Sequence, residues 1–172
     1  MPKETFDFAA LGEAIRADTQ AFLNSYAKQY PEEGPLLSFC LYFDSQGDIN
    51  SLVLPQQAVS KKKPKIRIHD TAAWFQHGDQ VAAPYSEHTQ ELLSQYEEWF
   101  FKHDRSEEAQ EAVIEQFKQM VTWVIQHLSF EKVLRTDDFV FYADAMDEDY
   151  DEWEDTIPAA LLKKHFGVTK AA

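Results

Sequence analysis

Leu11, Ile15, Phe22 and Tyr26 recur at steps of four, seven and four, so they share one stripe of a helix, predicted from about Phe6 to Gln29. The stretch Y-P-E-E-G-P ends it. Leu36 to Phe43, L-L-S-F-C-L-Y-F, is short and aromatic-rich, as strands are. D-S-Q-G-D then supplies turn chemistry, and I-N-S-L-V-L-P, Ile49 to Pro55, completes a predicted β-hairpin. Ile66 to His69 is a candidate third strand whose start Pro64 makes an edge or a loop, because proline cannot donate to a sheet ladder.

Ser86 is placed to cap a helix with Leu92, Tyr96, Trp99 and Phe100 on one side. Asp104 followed by Glu107 matches a capping box, and Val113, Phe117, Met120, Val124 and Leu128 continue at helical spacing. D-D-F-V-F-Y-A-D-A, Asp137 to Ala145, predicts the last strand, and Pro158 to Phe166 the last helix, closed by Gly167 as a left-handed cap. Phe139, Phe141 and Ala143 share one parity while Val140 and Tyr142 share the other, which predicts a central strand with both faces apolar. The order of elements gives one α+β domain over residues 1–172, a mostly antiparallel sheet covered on one face by amphipathic helices.

Composition agrees with a folded chain. At 172 residues, with 44% hydrophobic and 14% aromatic content, there is enough apolar surface to offset the entropy of ordering. The acidic N-terminus lacks the cationic start and apolar run of a secretory signal, and the longest strongly apolar stretch is far below the roughly 20 residues that span a bilayer. The single cysteine, Cys40, forms no internal disulfide. A soluble, cytosolic protein is therefore expected.

The formal net charge is −14, of which the window Asp144 to Asp155 supplies −8 and all other residues −6. Such a balance opposes nucleic acid and anionic membranes and favours cationic protein partners. Lys61, Lys62, Lys63, Lys65 and Arg67 form a basic run that reads as a solvated loop, with partial neutralisation of the acidic window as a variant. Nothing in the pattern sets the oligomeric state.

Catalytic signatures are missing from the sequence. His69, His77, His88, His103, His127 and His165 form no metal-binding pair, and Cys40 sits in an apolar strand where a thiolate is poorly solvated. There is no G-x-S-x-G and no phosphate-cradling glycine loop. No cofactor and no metal is expected. An enzyme with an unadvertised site would draw on Asp44, Asp70 or His69 near strand ends.

The window D-A-M-D-E-D-Y-D-E-W-E-D is the most unusual feature. Counted as a calcium loop from Asp147, Asp149 and Asp151 fall correctly, but Glu152 takes the glycine position and Pro158 that of the closing glutamate. Helix-end electrostatics around Asp155 and Thr156 account for one or two acids, since the dipole effect fades within a turn. Tyr150 and Trp153 stand among the carboxylates, as aromatic anchors do in interfaces that charge steers together. Asp144, Asp147, Glu148, Asp149, Tyr150, Asp151, Glu152, Trp153, Glu154 and Asp155 are thus the candidate partner-binding residues.

L-S-F-C-L-Y-F-D-S-Q-G, I-R-I-H-D-T-A-A-W-F and F-V-F-Y-A-D-A-M-D-E-D-Y-D together resemble a mostly bacterial family of single-domain proteins, domain of unknown function 4303. The resemblance carries no catalytic residues onto this chain. Small acidic proteins of this kind resemble the immunity proteins encoded beside bacterial toxins, including toxins delivered by secretion systems. That likeness implies a non-enzymatic protein that binds a cognate toxin, with a regulatory or adaptor domain as the alternative.

Overall fold

The computed structural model of the protein describes residues 5–29, 31, 34–43, 54–59, 85–103, 106–145 and 156–167. Helix α1 spans Phe8–Gln29, strand β1 Leu36–Phe43, β2 Leu54–Val59, α2 Glu87–Lys102, α3 Glu107–Gln126, β3 Arg135–Ala145 and α4 Ala159–Phe166. The expected α1 stripe is buried, with Leu11, Ile15, Phe22 and Tyr26 inside. The helix starts at Phe8 because Asp7 caps it, its Oδ1 accepting from Ala10 N at 2.9 Å. Phe6 instead packs its ring against Tyr96 and Trp99 of α2.

The sheet has the order β2-β1-β3. β1 is antiparallel to β2 but parallel to β3, so the expectation of a mostly antiparallel sheet is not supported. Strand direction depends on which end of the sheet the chain re-enters. After β2 it passes through α2 and α3 rather than a tight turn, and hydrophobic periodicity carries no record of the direction in which such a path returns.

β2 also lies further along the chain than the apolar run Ile49 to Pro55 implied. Gln57 and Gln56 pair with Phe39 and Cys40, and Pro55 with Leu41, a proline position suited to an outer strand. The D-S-Q-G-D turn and the Ile66 to His69 strand lie outside the described residues.

β3 follows β1 at one side of the described sheet, so it is β1 that is central. Both faces of β3 are nonetheless covered. Phe39, Leu41, Phe43, Ala143 and Ala145 join the main core with α1, α2 and α3. Cys40, Val140 and Tyr142 face the other way onto Ile157 and Leu162 of the α4 layer. Helices therefore cover two faces of the sheet rather than the expected one. A register irregularity between Leu36 and Ser38 resets the alternation, which is how Leu36 shares the main core with Phe39 and Leu41.

Ser86 caps α2 as expected, accepting from Thr89 N. The cap of α3 is Ser106, not Asp104; its hydroxyl accepts from Ala109 N at 3.4 Å. At α4 Pro158 occupies the N-cap position with no side-chain bond, and Asp155 lies outside the described residues. Gly167 closes α4 in the left-handed conformation, φ 69°, as its position predicts.

Candidate partner-binding surfaces

Of the candidate residues in the acidic window, Asp144 is described, half-buried between the buried Ala143 and Ala145 at the end of β3. Asp147, Glu148, Asp149, Tyr150, Asp151, Glu152, Trp153, Glu154 and Asp155 lie outside the described residues, as do Lys61 to Arg67. Just past the window the chain is tied to the sheet. Thr156 Oγ1 donates to the Phe141 carbonyl at 2.6 Å, and Ile157 is buried among Cys40, Val140 and Tyr142. The connection thus leaves β3 after Ala145 and rejoins it four residues back, about 13 Å along the strand at the usual rise. Both ends are held by one strand.

The basic end of α4 serves the other end of that strand. Lys164 Nζ donates to Asp138 Oδ2 at 2.6 Å, with the His165 ring 3.6 Å from the same oxygen. The bond from Lys164 holds the Asp138 carboxyl below the usual range, against a smaller opposing effect of burial.

A second acidic block lies on α2 and α3. Residues 87–126 carry nine acids against three bases, a net −6, which together with −8 in the acidic window leaves the remaining 120 residues neutral. Glu87, Glu91, Glu98, Glu107, Glu108, Glu111 and Glu115 are exposed and Glu97 half-buried. Glu87, Glu107 and Glu108 complement the first turns of their helices, which leaves five carboxylates that capping does not explain. Lys102 pairs with Glu98 at 3.3 Å, both side chains well exposed.

Beside this block, between the first turn of α1 and the C-terminal half of α3, runs a groove of about 420 Å³ lined by Phe8, Ala9, Gln116, Gln119, Met120 and Trp123. Trp123 is 38% exposed, one of three large apolar side chains of the described residues so open to solvent. His127 stacks on it with ring centroids 4.5 Å apart, and the His127 Nδ1 lies 2.7 Å from the Trp123 carbonyl. Gly12 lets the two helices close up, since a Cβ there would stand 2.9 Å from Met120 Cγ and 3.6 Å from Trp123 Cε3. Glu13, on the same side of α1, is held below its usual range chiefly by its bond from Arg16, with His127 adding a weaker pull.

A smaller cleft of about 310 Å³ follows β3, with Phe130, Phe139 and Phe141 as its aromatic wall and Arg135, Asp137 and Thr156 among its polar groups. Arg135 is occupied there, donating to the Phe130 carbonyl.

The remaining polar constellation is structural. Asp18 Oδ2 of α1 accepts from Ser86 N at 2.8 Å, Ser86 Oγ at 2.9 Å and Thr89 Oγ1 at 2.7 Å, placing a carboxylate against the first turn of α2. Burial alone would raise the Asp18 pKa, but the bonds from Thr89 and Ser86 outweigh it and the net shift is downward. Tyr85 nearby is buried, and desolvation pushes its phenol well up.

Among the described residues no group of three or more His, Cys, Asp or Glu side chains is arranged to hold a metal ion, and no helix is long and apolar enough to cross a membrane. Cys40 is buried in the sheet. His88 and His127 are exposed, while His103 is half-buried against Trp99 and His165 against Asp138. Asp44, His69 and Asp70 lie outside the described residues. Sequence reasoning missed the helical acidic block, the α1–α3 groove and the Asp18 cluster. Dividing the residual −6 by segment would have found the first, and a glycine on the apolar stripe one residue after Leu11 signals the close helix contact behind the second.

Comparison with family models, with curated proteins and with solved structures finds no match to this chain. The likeness to domain of unknown function 4303 accordingly rests on its three stretches of sequence alone.

Proposed function

We propose that this protein is a cytosolic binder of a cationic protein, acting stoichiometrically in the manner of an immunity protein that neutralises a cognate toxin. The observation that carries this reading is the partition of charge. All of the −14 resides in two blocks of 12 and 40 residues, and the rest of the chain is neutral. Seven carboxylates of the second block are exposed on two helices that both pack against α1. Uncompensated like charges cost stability, and a surface that concentrates them raises the encounter rate with a cationic partner.

Toxin enzymes that act on nucleic acid need cationic clefts, and an acidic surface of this kind occludes one. Calorimetry with the product of the adjacent gene tests the reading, a tight one-to-one complex weakening with salt being expected. Reversing Asp147, Asp149 and Asp151 to lysine should slow association at least tenfold. Unchanged affinity would remove the acidic window from the interface, and no complex at all would remove the toxin-neutralising reading.

A further inference from the structure

We infer that the α1–α3 groove is a docking site for one amphipathic helix of the partner, its apolar side chains seated on Trp123, Met120 and Phe8 and its flanking lysines or arginines meeting acidic rims. The inference rests on the proposed cationic partner and gives that partner a place to bind. The groove, at about 420 Å³, falls within the size range of pockets that bury a ligand or an anchoring side chain. Its floor combines an exposed tryptophan, a residue type that dominates binding hot spots, with the edge of the buried Met120.

Trp123 is preorganised. His127 covers one side of its ring, and Gly12 supports it from α1, so little side-chain freedom is lost when a partner arrives. Gln116 and Gln119 add polar groups along the wall, Gln119 being steadied by its bond to Glu115 at 3.0 Å.

The occupant's charge follows from the rims. Glu115 lies one turn before Gln119, with Glu111 and Glu108 one and two turns further back, all exposed along the α3 side. Asp7 and Glu13 are exposed on the α1 side, Glu13 paired there with Arg16 at 2.6 Å, so the acidic charge lies mainly along α3. A second copy of this chain would bring like charge to the α3 rim. A helix with apolar residues at i, i+3, i+4 and i+7 and a basic flank satisfies floor and rims together.

The test uses the full-length protein and an 18-residue leucine–lysine peptide with helical spacing, titrated by calorimetry. A control peptide with every leucine replaced by serine has the same charge. The leucine peptide should bind at least tenfold more tightly than the control. Trp123→Ala should weaken it about tenfold, with unchanged circular dichroism showing that the variant is folded. The rim variant Glu108→Lys/Glu115→Lys should weaken it and flatten its salt dependence.

Equal binding of the two peptides, no binding of either, or no loss on Trp123→Ala would overturn the groove while leaving the charge-steered reading to its own assay with the adjacent gene product. A dimer in sedimentation experiments that Trp123→Ala disperses would assign the groove to a second copy and also overturn the inference.

Discussion

Asp18 is the sharpest test of how this fold is held together. Removing its carboxylate by Asp18→Ala deletes the acceptor for Ser86 N, Ser86 Oγ and Thr89 Oγ1 at once. Thr89 is buried at the α1–α2 junction, and its hydroxyl is left with the longer contact to Ser86 Oγ at 3.3 Å. A bond to a charged acceptor is worth about 1.5–3 kcal/mol, but three bonds to one oxygen are not additive, so a net loss of about 3 kcal/mol is expected. In a domain of this size that lowers Tm by roughly 6–12 °C.

The pH dependence follows from the depressed pKa. The Asp18 contribution is fully present above the unfolded value, near 3.9, and is lost as pH falls through the lower folded value. Urea denaturation of wild type and Asp18→Ala at pH 7 should therefore show a gap that narrows toward pH 3. A Thr89→Val double-mutant cycle should return a coupling of about 1 kcal/mol or more. A gap below about 0.5 kcal/mol at pH 7, the level of an ordinary surface substitution, or one as large at pH 3, would refute the reasoning.

Gly12→Leu should cost about 2–3 kcal/mol in chemical denaturation, because a side chain there collides with Met120 where α1 and α3 meet. Gln20→Ala removes a paired contact, Gln20 Nε2 to the Ser129 carbonyl at 2.8 Å and Ser129 N to Gln20 Oε1 at 2.7 Å. It should cost about 1–2 kcal/mol and speed hydrogen exchange at the Ser129 amide. Lys164→Ala should move stability by less than about 1 kcal/mol, since both partners of its ion pair reach solvent. In the same variant an NMR titration should find the Asp138 carboxyl risen toward its ordinary value, because the Lys164 bond is the largest cause of its depression.

The elements that were legible in the sequence are those whose apolar period is long or whose caps are local. The α1 stripe, the Leu36–Phe43 strand, the Ser86 cap and the Gly167 cap each follow from a handful of neighbouring residues. What was not legible depends on partners distant in the chain. β2 is placed by pairing to β1, and the direction of β3 relative to β1 is set by a path through two helices. The apolar character of both β3 faces was read as a central position, but a strand outside the centre has the same pattern when α1 and α3 cover one face and α4 the other. The Asp104–Glu107 pair fits a capping pattern as well as Ser106 does, and only geometry separates them.

The same distinction bears on the two acidic blocks. Local charge counting finds the window after β3 because its eight acids are adjacent, and overlooks α2 and α3 because theirs are spread at helical intervals. In space the α2–α3 block lies on one side of the sheet. α2 and α3 contribute to the core on the Phe39–Leu41 face, while Ile157, just past the acidic window, packs on the Cys40–Tyr142 face. Charged blocks further apart than the roughly 8 Å screening length at physiological salt would act on the proposed cationic partner independently. Reversing three acids in each block should then lower the logarithm of the association rate additively, whereas a shared contact surface would give a combined effect that departs clearly from the sum. An additive result would mean that the proposed partner is steered by both blocks without one shared contact surface, which leaves the Trp123 groove beside the α3 rim as the anchor to test.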